Sequence, residues 1–201
     1  MGTTTTKKLM TAEEFCDWVH QPEQADKWFE LVRGEVIELP APQKPHGVLC
    51  FNIGRILGNF VFERGCGYLT SNDSGVILER DPDTVRGPDI AYYEDANTYA
   101  ELHPKYGEVP PLLAVEVMSP NERIGKIMRK IMDYLHNGVE LVWLIDPETR
   151  NVTVYRPGKE AFVAEENQEL TGEDVLPGFR CLVSDFFRLP GEKPKAEQSS
   201  A

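Results

Sequence analysis

The sequence predicts an α/β domain with a central mixed β-sheet, helices packed against it and a hairpin-rich C-terminal part. Three observations carry this. Leu49, Ile53, Ile56, Leu57 and Phe60 recur at helical spacing. Residues 112–118 are apolar apart from Glu116, as in a strand covered on both faces, and a helical stretch follows. Residues 28–39 alternate around Arg33-Gly34, the pattern of a hairpin.

In chain order, Thr11 followed by Glu14 forms a capping-box pattern and starts a helix over residues 12–20. The hairpin comes next, with Glu30 on its first arm and Glu35 on its second. Pro45-His46-Gly47 opens the long helix, which runs to about Arg64. Residues 68–70 and 75–79 are short strands flanking Ser71-Asn72-Asp73-Ser74, and residues 90–93 form a strand that starts at Asp89. Residues 94–111 read as loop with one helical turn. The 112–118 strand is broken by Ser119-Pro120-Asn121, and the next helix stops at Asn137-Gly138. Residues 140–145 and 151–155 are strands joined by Asp146-Pro147-Glu148-Thr149, with Pro in the second place of the turn. A last pair of strands around Phe162 and Leu170 leads to Leu176-Pro177-Gly178-Phe179 and a closing turn near Phe186. Residues 1–8 and 191–201 are predicted to be disordered, leaving 9–190 as a single domain.

A chain of 201 residues with 41% hydrophobic content can bury one core. No apolar run is long enough for a membrane span and the N-terminus lacks a signal-peptide pattern, so a cytoplasmic protein is expected. Cys16, Cys50, Cys66 and Cys181 form no CxxC pair, which argues against zinc and against a disulfide framework. His20, His46, His103 and His136 form no HExxH or HxH group and read as surface or capping residues. Asp and Glu number 33 against 21 Lys and Arg, a net charge of -12. Phosphate neutralisation drives nucleic-acid affinity, so this balance counts against tight DNA binding by the chain alone.

The chemistry-bearing feature is a pair of acids on different strands. Asp89 lies at the start of one strand and Glu116 inside another, with Arg123, Lys126 and Lys130 on the helix that follows. A divalent metal fits between such strands, and magnesium takes oxygen ligands with only one or two protein carboxylates. The alternative is a structural ion pair between Glu116 and Arg123 or a lysine, because a buried charge needs a partner. On a helical wheel Ile124, Met128, Ile131 and Leu135 centre the buried stripe. Lys126 falls opposite that centre, while Lys130 falls about 130° and Arg123 about 110° from it. Lys130, on the flank beside Tyr134, is therefore the candidate for catalysis, and Lys126 reads as a solvated charge.

Gly34-Glu35, Pro88-Asp89, Val115-Glu116-Val117-Met118-Ser119-Pro120, Lys130 with Tyr134, Gly138-Val139 and Val142-Trp143-Leu144-Ile145-Asp146-Pro147 occur in this order. The set resembles the Uma-type restriction endonucleases, within the PD-(D/E)xK nuclease superfamily. The resemblance runs from about Thr11 to Phe187 and is most specific between Glu116 and Pro147. It implies a restriction-endonuclease-like core with Asp89 and Glu116 as ligands for magnesium, manganese being the substitute, and the Val117 carbonyl as a third ligand. The superfamily's usual lysine position, two residues after the Glu, is Met118 here. In this family that lysine has moved to the following helix, which matches Lys130. The family often has an acid where this chain has Lys126. The implied reaction is metal-assisted hydrolysis of a DNA phosphodiester, and cutting both strands implies a homodimer.

Other residues carry lesser expectations. Glu30 reads as a solvated strand residue, its alternative being an acid that completes the metal site. His46 reads as a polar helix-end residue, its alternative being a contact to phosphate. Trp18, Trp28 and Trp143 fit packing better than base stacking, since no basic residues interleave with them. At least one of Tyr92 and Tyr93 is expected to be buried. Arg123 either pairs with Glu116 or contacts phosphate. Two further functions compete with the DNA endonuclease: a non-catalytic binding or scaffold domain, and a hydrolase of another phosphate ester.

Overall fold

The computed structural model describes residues 9–120 and 123–192. Expectations for residues 1–8, for Asn121 and for the tail beyond Glu192 lie outside these. Its centre is a six-stranded mixed sheet, and the apolar run around Glu116 forms one of its inner strands. That strand, β7 (Leu113–Val117), pairs in parallel with β8 (Leu141–Asp146) and antiparallel with β6 (Ile90–Tyr93). Parallel neighbours need a long crossover, supplied here by α3 (Ile124–His136). β9 (Asn151–Tyr155) and β10 (Phe162–Ala164) extend the sheet beyond β8, and β3 (Tyr68–Ser71) closes the other edge against β6.

Alternation along β7 sends its residues to two different cores. Leu113, Val115 and Val117 face α2 (Lys44–Arg64), where Leu49, Ile53, Leu57 and Val61 pack with Trp143, Phe179 and Phe186. Ala114 faces α3 and packs with Ile127, Ile131, Tyr134, Val142 and Leu144. Glu116 follows Ala114 by two residues and shares its face. Both Tyr92 and Tyr93 are buried, and Trp143 is fully enclosed.

A second sheet, in the order β2-β1-β5-β4, carries a smaller core of its own. It joins β1 (Trp28–Val32) and β2 (Glu35–Leu39) to β4 (Val76–Glu79) and β5 (Thr84–Arg86). Against it lies α1 (Ala12–Val19), whose Thr11 and Glu14 form the predicted capping box. The three-residue strand β5 has no counterpart in the sequence reading, because Thr-Val-Arg is too short for alternation to register.

Three expectations are corrected. The strands around Phe162 and Leu170 do not pair with each other: β10 adds to β9, while β11 (Glu169–Gly172) pairs with β12 (Leu176–Leu182). Leu176-Pro177-Gly178-Phe179, read as a connection, lies within β12: Pro177 and Gly178 interrupt the alternation, yet an isolated two-stranded ribbon has free edges where Pro costs no ladder bond. The buried face of α3 is Ile127, Lys130, Ile131 and Tyr134, while Ile124 is 61% exposed. It is rotated by roughly 80° from the purely apolar stripe. Lys130 thus lies within the buried face, not on its flank.

Candidate functional site

The ladder between β6 and β7 pairs Ile90 with Val115 and Ala91 with Ala114. One step further in that register sets Asp89 opposite Glu116. Opposed residues of antiparallel strands have their Cβ atoms about 4.5–5.5 Å apart on one face. Asp89 stands just before β6, so its carboxylate also reaches around the strand end. Its Oδ2 accepts the Val117 N–H at 2.6 Å and its Oδ1 lies 2.9 Å from His46 Nε2, in the first turn of α2. Asp89 is thus held between a strand backbone and a helix end. Its hydrogen bond, followed by the neighbouring Cys50 thiol, raises the His46 pKa to about 10.

Glu116 is buried beneath α3. Lys130 Nζ donates to its Oε2 at 2.9 Å, and the Tyr134 hydroxyl donates to its Oε1 at 2.7 Å. The same ammonium donates to the Gly87 carbonyl at 2.9 Å and pairs with Glu30 Oε1 at 3.0 Å. Glu30 also accepts from Arg86 Nη1 at 2.7 Å and from the Gly87 N–H at 3.2 Å, while Arg86 Nε donates to Asp133 at 3.0 Å. Asp133, Arg86, Glu30, Lys130, Glu116 and Tyr134 therefore form one continuous polar chain running from β1 and β5 through α3 to β7. Burial pushes the Glu116 carboxyl up to about 8; Lys130 opposes the rise, and the charges of Asp89 and Glu30 add to it. Burial works against the Lys130 charge, but Glu116 and Glu30 outweigh it and hold the ammonium above its ordinary range.

Gly87 is needed here for close approach. A Cβ at this position would stand 2.4 Å from the Asp73 carbonyl oxygen, so the turn at Asn72-Asp73 lies directly on its backbone. That contact brings in Asp73, whose carboxyl is raised to about 6, first by burial and then by the charge of Asp89.

Of the predicted site residues, the structure joins Glu116 to Lys130 and seats Asp89 on the Val117 backbone. Lys126 and Arg123 are exposed, and the partner of Glu116 is Lys130, not Arg123. Two readings are corrected. Glu30 is not a solvated strand residue: at 2% exposure it is the counter-ion of both Lys130 and Arg86. His46 is not a bare helix end, since it holds Asp89. Asp73, Arg86 and Cys50 were missed. No periodic signal marks Asp73 in its turn or Arg86 in its three-residue strand. The four-residue spacing of His46 and Cys50, which puts both on one helix face, was legible.

The donor set fits a hard divalent cation. Five carboxyl groups (Glu30, Asp73, Asp89, Glu116 and Asp133) outnumber three basic groups (Arg86, Lys130 and His46), and Glu116 and Asp73 are both held above the ordinary carboxyl range. Oε1 of Glu116 is met by both Tyr134 and Lys130, while Oε2 is met by Lys130 and keeps a second lone pair. A groove of about 970 Å³ lies elsewhere, between α2 and the segment after Phe187. Lys44, Phe51, Arg55, Arg188 and Leu189 line it, and neither Asp89, Glu116 nor Lys130 does.

The fold is shared with a solved structure from Anabaena variabilis described as "a putative nuclease belonging to DUF820", with a TM-score of 0.72 and 22% sequence identity over 89% of this chain and 97% of that one. The class is thus a mixed α/β domain of the same fold. Residues 12–184 match the Uma2 family model, "Putative restriction endonuclease", and the chain belongs to that family. No curated protein matches it. No helix among the described residues is long and apolar enough to cross a membrane.

Proposed function

We propose that this chain is a magnesium-dependent DNA endonuclease, with manganese as an alternative ion, that hydrolyses phosphodiester bonds. The observation that carries the reading is the opposition of Asp89 and Glu116 on adjacent strands, with the Lys130 ammonium 2.8 Å from the Glu116 carboxylate. Asp89, Glu116 and the Val117 carbonyl are the ligands of the ion. When bound, the ion polarises a phosphate oxygen and lowers the pKa of a coordinated water.

The chain's own residues set the stage for that chemistry. Asp89 is fixed at both oxygens by Val117 and His46, so little side-chain ordering remains to be done. Tyr134 and Lys130 orient Glu116, and Glu30 and the Gly87 carbonyl orient Lys130. The fixed ammonium is a preorganised positive charge close to where negative charge develops on the phosphate. DNA is the substrate class implied by the family. Cleavage of both strands is assigned to a homodimer, each copy supplying one site.

The test is a plasmid-nicking assay with purified protein, with and without magnesium or manganese. Nicking is expected only with the ion, and Asp89→Asn or Glu116→Gln is expected to reduce it by roughly 10² or more. Cleavage that survives both substitutions sinks the site. A correctly folded wild type that never nicks DNA with either ion sinks the reaction, leaving a non-catalytic member of the family or a hydrolase of another phosphate ester, which a screen of small phosphodiesters separates. The net charge of -12 makes that outcome worth testing directly.

A further inference from the structure

We infer that His46, Cys50 and Asp89 form a binding site for a thiophilic divalent cation of the zinc type, distinct in chemistry from the hard-ion site around Glu116. His46 and Cys50 stand four residues apart in α2, the spacing that brings side chains together on one helix face. Asp89 meets them from the start of β6. Each of the three brings a ligand atom to within 4.8 Å of the other two, and it is the one group among the described residues that does so. His46 Nε2, which faces Asp89 at 2.9 Å, is the imidazole atom that the ion would take on loss of its proton, while Nδ1 is shielded from solvent and has no hydrogen-bond partner among the described residues. Asp89 and Cys50 sit on opposite sides of the decision between metals. A carboxylate accepts either hard or borderline ions, whereas a thiolate and an imidazole select zinc-like ions over magnesium.

The geometry is close to what such an ion requires. Ligand atoms around a tetrahedral zinc stand roughly 3.3–3.8 Å apart. His46 Nε2 and Asp89 Oδ1, hydrogen-bonded at 2.9 Å, would open slightly to admit the ion. A pair at the 4.8 Å limit would close by roughly 1–1.5 Å, within reach of rotation about the side-chain bonds of Cys50 and His46. Three protein ligands leave a fourth position open to water or a substrate oxygen, the pattern of a reactive rather than a closed structural zinc site. Binding releases the Cys50 thiol proton and any imidazolium proton of His46 to solvent. The binding itself does not depend on the nuclease reading. Its consequence does: an ion held here engages Asp89, so zinc-type and magnesium-type occupancy compete for that one carboxylate.

Cobalt(II) added to the metal-free, full-length protein tests this. A saturating 1:1 titration with a thiolate-to-cobalt charge-transfer absorption is expected, and zinc is expected to displace the cobalt and remove the absorption. Cys50→Ser should abolish the charge-transfer absorption and weaken cobalt binding roughly tenfold or more. Cys66→Ser, which changes an exposed thiol, should leave both unchanged. His46→Gln should weaken binding and keep a diminished thiolate absorption, provided its circular dichroism and melting match the wild type. Should that variant fold poorly, the two cysteine variants decide the matter alone. An absent charge-transfer absorption, or one that persists in Cys50→Ser, overturns the site. Failure of magnesium-dependent nicking alongside an intact cobalt spectrum overturns the proposed function and leaves this site standing.

Discussion

Lys130 reaches the carboxylate of Glu116 from the helix that follows its strand, with Nζ 2.8 Å from Oε1 and both side chains almost fully enclosed. Fourteen residues separate them in sequence. An ammonium placed by a helix approaches the strand acid from outside the sheet, leaving Met118 free to contribute to the apolar packing under α3. The lysine is then immobilised by three acceptors, Glu116, Glu30 and the Gly87 carbonyl.

This enclosure makes the pair cooperative. Removing one partner of a buried ion pair costs about 3–5 kcal/mol, because the other charge is left without compensation. Lys130→Met and Glu116→Gln are each expected to lower urea stability by that order. The double variant should fall short of the sum by about 0.5–3 kcal/mol. Strict additivity in the cycle would show that the two side chains do not interact in solution.

Gly87→Ala tests the contact that brings Asp73 to the site. The new methyl meets a backbone carbonyl oxygen at 2.4 Å, which cannot rotate away, so the turn at Asn72-Asp73 or the Gly87 backbone must shift. Either displacement disturbs the N–H that Glu30 accepts and the carbonyl that Lys130 contacts. Overpacking of this kind costs about 1–3 kcal/mol. Magnesium-dependent nicking is expected to fall with it. A variant with wild-type stability and wild-type activity would show that the close approach is dispensable.

Away from the site, Asp83 links the start of α1 to the turn before β5. Its Oδ2 accepts the Ala12 N–H at 2.7 Å and an Arg80 N–H at 2.8 Å. Burial alone raises its carboxyl, but the Ala12 and Asp81 N–H groups and Arg80 outweigh this and hold it below the ordinary 3.8. A depressed carboxyl stabilises the fold above its unfolded value and loses that contribution as pH falls through the folded one. The wild type should therefore lose stability as the pH drops below about 4, and Asp83→Asn should lose less over that same interval. Parallel acid-denaturation curves for the two proteins would refute this.

Thr11→Ala removes a cap at the surface end of the same helix. Thr11 accepts the Glu14 N–H, and Glu14 returns a bond to the Thr11 N–H. The expected loss is about 1 kcal/mol, read from urea midpoints at unchanged slope. The contrast with Lys130→Met measures how much more a buried charge matters than an exposed cap.

Local pattern alone determined the long helix α2, the strand that follows Asp89, the strand around Glu116 and the hairpin at Arg33-Gly34, because each carries its own periodicity or turn chemistry. The sequence also singled out Asp89, Glu116 and Lys130, since acids at strand positions and a lysine on the next helix stand out against apolar neighbours. It read Glu30 as solvated and put Lys130 on a flank. Both errors have one cause: an apolar-only stripe treats a charged residue as outward-facing, whereas opposite charges can be buried together. Only the tertiary structure decided that Glu30, Lys130, Arg86 and Glu116 neutralise one another, and that His46, Cys50 and Asp89 share one corner. Those contacts join residues of separate elements, and their energy depends on distance and burial, which the order of residues along a chain does not contain.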